Sequence, residues 1–335
     1  MTEPNVGVLL PTRALLLQKE APQDLESILT LGEDLEEAGY DGLWVGDSLL
    51  ASPRPEVVVT LAAIAARTGQ IRLGSGILIG SLRHPVNLAH QLATLDLISG
   101  GRLTVGIGYS SGTGIWKVEH DVVGVQAETR HARTREGIEV MRALWSDTPT
   151  THHGRFFELE NVSLEPKPVQ NGGPPIWVHG MRGEKTLRRV AEYGDGWINN
   201  LPTVDEFIES WDKVRSHAAH ADRDLEKFSA CHYSTIRVAK SGALAVQEGR
   251  AFMKNYYGGM DPDEIEQTEC CRYGTPEHCA EELLRFVDAG ARTLILRLAS
   301  QNQREQIELC TEHLLPILKK SRVSVKQGAA AELGC

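Results

Sequence analysis

Apolar side chains recur along this chain in two alternating rhythms: short unbroken runs, and longer stretches at helical spacing. The runs are Val6–Leu10, Asp41–Gly46, Ile71–Ile79, Leu103–Ile107, Ile176–Val178, Gly196–Asn199, Cys231–Val238 and Thr293–Leu298. Runs this short, rich in β-branched residues and bounded by Gly, Pro or polar clusters, predict buried strands. Between them a 3.6-residue period predicts helices over Gln23–Ala38, Glu56–Arg67, Glu128–Trp145, Glu184–Tyr193, Val204–His220, Pro276–Ala289 and Glu305–Lys319. Another lies between the Pro-marked turn His84-Pro85 and the stop at Gly100-Gly101, and Leu244–Tyr257 and Asp261–Glu269 read as inserted helices. Thr275 is placed to cap the helix that begins at Pro276.

The stretch Ile71–Gly108 holds one complete strand, helix, strand unit, and two buried strands joined in this way run parallel. Eight such strands alternating with helices predict a single α/β domain, a (β/α)8 TIM barrel spanning 1–320, with insertions after the fourth and seventh strands. A doubly wound open sheet is the alternative, but no strand is followed by a GxGxxG turn. The segment 110–125 reads as a polar loop. The segment 146–175, with five prolines, reads as an excursion that serves as a lid, as do the inserted helices at 241–273. The Gly/Ala/Lys-rich tail 321–335 reads as disordered.

Composition narrows the partners. A net charge of -10 argues against nucleic acid and against an anionic membrane surface. No run of apolar residues is long enough to span a bilayer. The N-terminus enters the first strand at once, with no signal segment. Six cysteines, Cys231, Cys270, Cys271, Cys279, Cys310 and Cys335, show no metal spacing, and the reading is reduced thiols in a cytoplasmic protein.

Barrels of this kind keep their chemistry at the C-terminal ends of their strands. Asp47 and Ser48 follow the second strand and are the catalytic candidates, although an Asp there also suits a loop turn. Gly74-Ser75-Gly76-Ile77 in the third strand marks either a close approach by a ligand or a bulge. The loop from Gly106, Ile107 and Gly108 through Tyr109 and Ser110 to Gly114 could cradle an anion or simply be flexible. Gly180-Met181-Arg182-Gly183 leads straight into a helix and suits a phosphate, or a plain turn. His152-His153 and His217 with His220 lack a supporting third ligand and read as solvated faces, so no metal is expected. Without GxSxG or CxxC, acyl-transfer and zinc-ribbon readings lose support.

Several motifs in order carry a resemblance. They are Ala38-Gly39-Tyr40-Asp41-Gly42-Leu43-Trp44-Val45-Gly46-Asp47, Ala65-Ala66-Arg67-Thr68-Gly69, Arg83-His84-Pro85-Val86, Ser99-Gly100-Gly101-Arg102-Leu103, Gly154-Arg155-Phe156-Phe157, Pro166-Lys167-Pro168-Val169-Gln170, Asp195-Gly196-Trp197 and Gly274-Thr275-Pro276. Together they span nearly the whole chain, which resembles the bacterial luciferase-like flavin oxidoreductases. The resemblance implies a (β/α)8 barrel binding reduced FMN or coenzyme F420 at its C-terminal face. It also implies a non-prolyl cis peptide between Gly76 and Ile77, behind the flavin ring. By the same resemblance Asp47 faces the ring or substrate, Gly106, Gly108 and Ser110 line it, Glu119 lies near the flavin tail, and Arg130-His131, at a position often Arg-Tyr, binds the cofactor. Gly180, Met181, Arg182 and Gly183 would hold the phosphate through backbone amides.

Three departures matter. Ser48 stands where many deazaflavin members carry a His, His179 and Arg182 replace a Gly and a Ser of the phosphate loop, and His131 replaces a Tyr. The first favours a two-component monooxygenase, which takes reduced FMN from a separate reductase and oxygenates a small organic substrate. The alternatives are an F420-dependent hydride-transfer enzyme and a non-catalytic flavin-binding barrel. Relatives of this kind commonly form homodimers. Tyr109, Trp116, Tyr256 and Tyr257 could line an apolar pocket or belong to the core.

Overall fold

The computed structural model describes residues 3–17, 24–226 and 228–320. The tail 321–335, with Cys335 and the disorder expected of it, lies outside the described residues, as does the expected helix start at Gln23. In chain order the elements are β1 (Asn5–Leu9), α1 (Thr12–Leu17), α2 (Leu25–Glu37), β2 (Gly42–Val45), α3 (Val57–Ala65), β3 (Arg72–Ser75), β4 (Leu78–Ile79), α4 (Pro85–Ser99) and β5 (Leu103–Gly108). There follow α5 (Gly114–Val122), α6 (Arg130–Trp145), β6 (Thr150–His153), β7 (Glu158–Val162), β8 (Ile176–His179), α7 (Glu184–Tyr193), β9 (Gly196–Asn199), α8 (Val204–His220) and β10 (Ser229–Val238). The chain ends with α9 (Gly242–Tyr256), α10 (Pro262–Thr268), β11 (Cys271–Gly274), α11 (Pro276–Asp288), β12 (Thr293–Leu298), α12 (Gln303–Leu309) and α13 (Leu315–Lys320), the last two joined by a π-helical turn at Cys310–Leu314.

The parallel pairings run β1–β2–β3–β5–β8–β9–β10–β12 and return to β1, so the eight strands close into a barrel. The short β4 continues the third barrel strand beside β5, and β11 hangs on β10 outside the ring. Leu9 lies level with Trp44 on one side and Arg297 on the other, which brings three strand ends to one rim.

Local chemistry sets the helix ends. Asp24, Glu56, Thr203 and Ser241 cap α2, α3, α8 and α9 through their side chains. Thr275 caps α11 at the His278 N–H, with Pro276 at the first helical position, as the sequence implies. Gly100 ends α4 at φ 63°, a conformation that costs glycine nothing.

Many of the shared motifs turn out to be fasteners. Arg102 donates to the carbonyls of Ser99, Ile71, Ala65 and Thr68 and to the Thr68 hydroxyl, closing the entrances to β3 and β5. Glu36 accepts the N–H groups of Gly69, Gln70 and Ile71. The fully buried Asp96 takes both the backbone and the side-chain N–H of Gln170. Trp197 donates to the Gly180 carbonyl at 2.8 Å.

Two expectations need correction. The segment 110–125 is not all loop, because α5 occupies its middle. The excursion 146–175 is not a lid. Its β6–β7 hairpin lies against α6, where Glu136 accepts the N–H groups of Arg155, Phe156 and Phe157 at 2.8–3.2 Å. Its later part, Gln170–Gly173, borders the N-terminal ends of the barrel strands, beside Asn5, Asp41 and Arg72.

Candidate active site

The C-terminal rim encloses a cavity of about 250 Å³, just under the usual size of a small-molecule or cofactor site. The barrel strands, or the turns that follow them, each send residues into it. Leu9, Ile77, Ile79, Ile198 and Ile295 give it an apolar surface. Asp47, Ser48, Ser110, His179, Asn200, Tyr233 and Arg297 add polar groups around them.

The peptide bond Gly76–Ile77 is cis, and it is where β3 gives way to β4. The bulge fits because its neighbours are glycines. A Cβ on Gly106 would collide with the Ser75 carbonyl, and one on Gly108 with Ile77 and His179. Gly76 and Ile77 reach the cavity, whereas Gly106 and Gly108 do not. The role of those two is to let the bulge approach β5.

Asp47 lies at the cavity edge with both carboxylate oxygens engaged. Arg83 donates to them at 2.6 and 3.0 Å, and the Ile79 N–H adds a third bond at 2.9 Å. These bonds tie Asp47 to the far side of the cis bond. Ser48 is equally committed, donating at 2.8 Å to Oε1 of the fully buried Glu119. The same oxygen accepts the N–H groups of Leu50 and Ala51 at 2.6 and 2.9 Å, while Oε2 is buried without a partner. Glu119 thus fastens the loop 48–52 onto α5. It does not border the main cavity.

After β5, Tyr109 and Ser110 line the cavity, and the Ser110 hydroxyl is buried without a partner. Arg130 turns away from that space. It donates to the Ser110 and Ala127 carbonyls, both at 2.9 Å, and packs where a Gly112 Cβ would stand. His131 packs against Tyr109 in a tilted arrangement, with ring centroids 4.3 Å apart. Burial, reinforced by Arg189 and Arg130, pushes its pKa down to about 4, so it is neutral at pH 7.

Gly180–Gly183 lies outside the main cavity. The Gly180 N–H is taken by the Ile198 carbonyl at 3.0 Å, and Arg182 pairs with Glu206 at 2.6 Å. The Met181, Arg182 and Gly183 N–H groups have no backbone partner among the described residues, and they precede the N-terminus of α7. Arg182 is spent on Glu206, so it is no free charge partner for a phosphate.

All four aromatics named from the sequence, Tyr109, Trp116, Tyr256 and Tyr257, border the cavity. The last two stand at and just beyond the end of α9, so the inserted segment does cover part of the mouth. Sequence reasoning missed Arg13, Arg54, Glu269 and Arg297, which also line it. Of these, Arg297 was readable, as a cation near the C-terminal end of an otherwise apolar run. Arg13, Arg54 and Glu269 stand in loops and short segments with no periodic signal.

Comparison with known proteins places the geometry in context. A sequence model of the family described as luciferase-like monooxygenase matches residues 4–293. The oxygenase component of a flavin-dependent trigonelline monooxygenase from Acinetobacter baylyi is 30% identical, over 74% of this chain and 69% of that protein. An F420-dependent glucose-6-phosphate dehydrogenase from Microbacterium testaceum is 22% identical over 88% of this chain and 93% of its own. Among solved structures, the monooxygenase RslO1 from Streptomyces bottropensis superposes with a TM-score of 0.80 at 25% identity, covering 93% of this chain and 99% of that one.

Proposed function

This chain belongs to the luciferase-like monooxygenase family, and we propose that it is the oxygenase of a two-component system that uses reduced FMN and dioxygen on a small organic substrate. Its relatives are flavin- or F420-dependent oxidoreductases. The observation that carries the FMN reading is the cavity at the cis Gly76–Ile77 bond. It combines an apolar surface with a buried, unpartnered Ser110 hydroxyl, and the groups after β2 hold no free base. Hydride exchange with a substrate alcohol needs a proton acceptor close to the reacting carbon. Here Asp47 is held by Arg83, and Ser48 by Glu119.

The residues present fit a flavin. Ile77, Ile79, Leu9, Ile198 and Ile295 offer the ring an apolar bed, and Ser110 and Asn200 offer it hydrogen bonds. The Met181–Gly183 amides before α7 offer a phosphate site of the helix N-terminal kind. Reduced FMN, when bound, supplies the two electrons with which dioxygen is split between product and water. The chain's task is to orient the substrate and to exclude water, which Trp116, Tyr109, Tyr256 and Tyr257 serve at the mouth. A separate reductase would deliver the reduced flavin. A homodimer is supported by exposed Val59 on α3 and by Leu97 and Ile98 on α4. A cytoplasmic site is supported by five free cysteines among the described residues, where no helix is long and apolar enough to cross a membrane.

Anaerobic spectral titration with reduced FMN and with reduced F420 tests the cofactor, and oxygen uptake with candidate substrates tests turnover. The expected result is saturable binding of reduced FMN and substrate-dependent oxygen uptake. Saturable binding of F420 with none of FMN would move the chain to hydride transfer. Binding of FMN with no turnover of any substrate would make it a flavin carrier.

A further inference from the structure

One end of the cavity carries positive charge that a flavin bed does not use. Arg13, Arg54 and Arg297 all line it, with Tyr233, Tyr256 and Tyr257. Arg297 is buried and bound to Glu269, which also accepts from the Tyr257 hydroxyl. The other carboxylate at the cavity, Asp47, is held by Arg83. That leaves Arg13 and Arg54 without a carboxylate partner among the described residues, and each has a buried Nε with no acceptor.

These two cations are held without being neutralised. Arg54 reaches in along Gly46, where any Cβ would collide with its Nη1, and Nη2 donates to the Tyr256 hydroxyl at 3.1 Å. The Arg13 guanidinium lies over the Tyr256 ring at 4.4 Å, and Arg297 lies 4.9 Å from the same centroid. Ring faces stabilise a guanidinium through their quadrupole and leave its N–H fork free. Burial would raise the Tyr256 phenol, but Arg54, Arg297 and Arg13 more than offset it and hold the group below its ordinary value. Half-buried cations gathered in a cavity without a counter-charge repel one another, and an anion in their midst relieves that repulsion.

We infer that the substrate is a small organic anion whose carboxylate or phosphate group binds Arg13 and Arg54 beside the Tyr256 hydroxyl. The inference deepens the flavin reading, since it places the substrate at the end of the cavity away from Ser110 and the α7 amides.

Calorimetric titration of the whole protein with benzoate, phenyl phosphate and the uncharged analogue benzamide tests it. The proteins compared are the wild type, Arg13→Gln, Arg54→Gln and Arg54→Lys, with circular dichroism to verify folding. One or both anions should bind roughly tenfold more tightly than benzamide in the wild type. Either Gln variant should lose about that factor while benzamide is unaffected, and Arg54→Lys should retain part of it. The tighter anion identifies the oxyanion as carboxylate or phosphate. If Arg54→Gln fails to fold, Arg13→Gln carries the same comparison from the segment after the neighbouring strand β1.

Equal binding of benzamide and the anions, no binding of any of the three, or Gln variants with wild-type anion affinity would overturn the inference. FMN and riboflavin are titrated in the same variants. A loss for FMN but not riboflavin would assign the arginines to the cofactor phosphate and overturn it too. Because the anion titration needs no flavin, the two readings separate. Anion binding without FMN binding keeps this inference and removes the monooxygenase, and the converse removes only this inference.

Discussion

His131 shows how a single side chain in this site is tuned by its neighbours. Packed at a tilt against Tyr109 and facing Arg130 and Arg189, it is held neutral, with its pKa pushed from 6.5 to about 4. The unfolded chain takes up a proton near pH 6.5, and the folded chain does not until about pH 4. Stability from this residue is therefore fully present above pH 6.5, falls as the pH drops towards 4, and levels off below. His179 and His232, lowered by burial, add slope of the same sign. His131→Phe should keep the ring contact with Tyr109 and remove one proton's share of the slope. Melting temperatures measured from pH 7 down to pH 4 would show it, and parallel curves for variant and wild type would contradict it.

At the scale of elements, α5 shows why one helix beside the site was not legible as a helix in the sequence. Its apolar residues Ile115, Trp116, Val118 and Val122 are exposed, whereas Glu119 and His120 are fully buried. A period search that assumes apolar side chains face inward reads such a segment as a polar loop. The inversion exists because Glu119 gathers Ser48, Leu50 and Ala51, and because His120 spans the Trp116 carbonyl and the Ser81 hydroxyl. The barrel strands, by contrast, were legible because both faces of a parallel sheet are buried and the runs stay apolar. Glu119→Ala removes three hydrogen bonds to a carboxylate and should cost about 2–4 kcal/mol, with Glu119→Gln losing less. Urea denaturation gives the loss, and limited proteolysis should find the bonds between residues 48 and 52 newly cleavable. Unchanged protection of that loop would mean that Glu119 does not hold it.

For the whole molecule, the cavity is assembled from two sources that the sequence shows at very different strengths. The barrel supplies the floor, and its ordered motifs, from Arg102 to Asp96 with Gln170, are fasteners that any chain with this closure can use. The segment from α9 to Glu269 supplies two of the tyrosines, Tyr256 and Tyr257, and the one carboxylate of the cationic end. Arg54 reaches that end from a loop and Arg13 from α1, both far away in sequence, and only closure of the barrel brings them together. The bond between Glu269 and Arg297 joins the insertion to β12, with side chains only 15% and 8% exposed. Glu269→Ala leaves a buried guanidinium without its counter-charge, which should cost about 3–5 kcal/mol of stability. The same change frees a third arginine at the cationic end. Benzoate or phenyl phosphate should therefore bind more tightly while the urea midpoint falls. Opposite signs for the two measurements distinguish a charge-balanced end from simple loosening of the insertion, which would weaken both. A fall in anion affinity alongside the fall in stability would show that Glu269 acts on the cavity only by holding the cover in place.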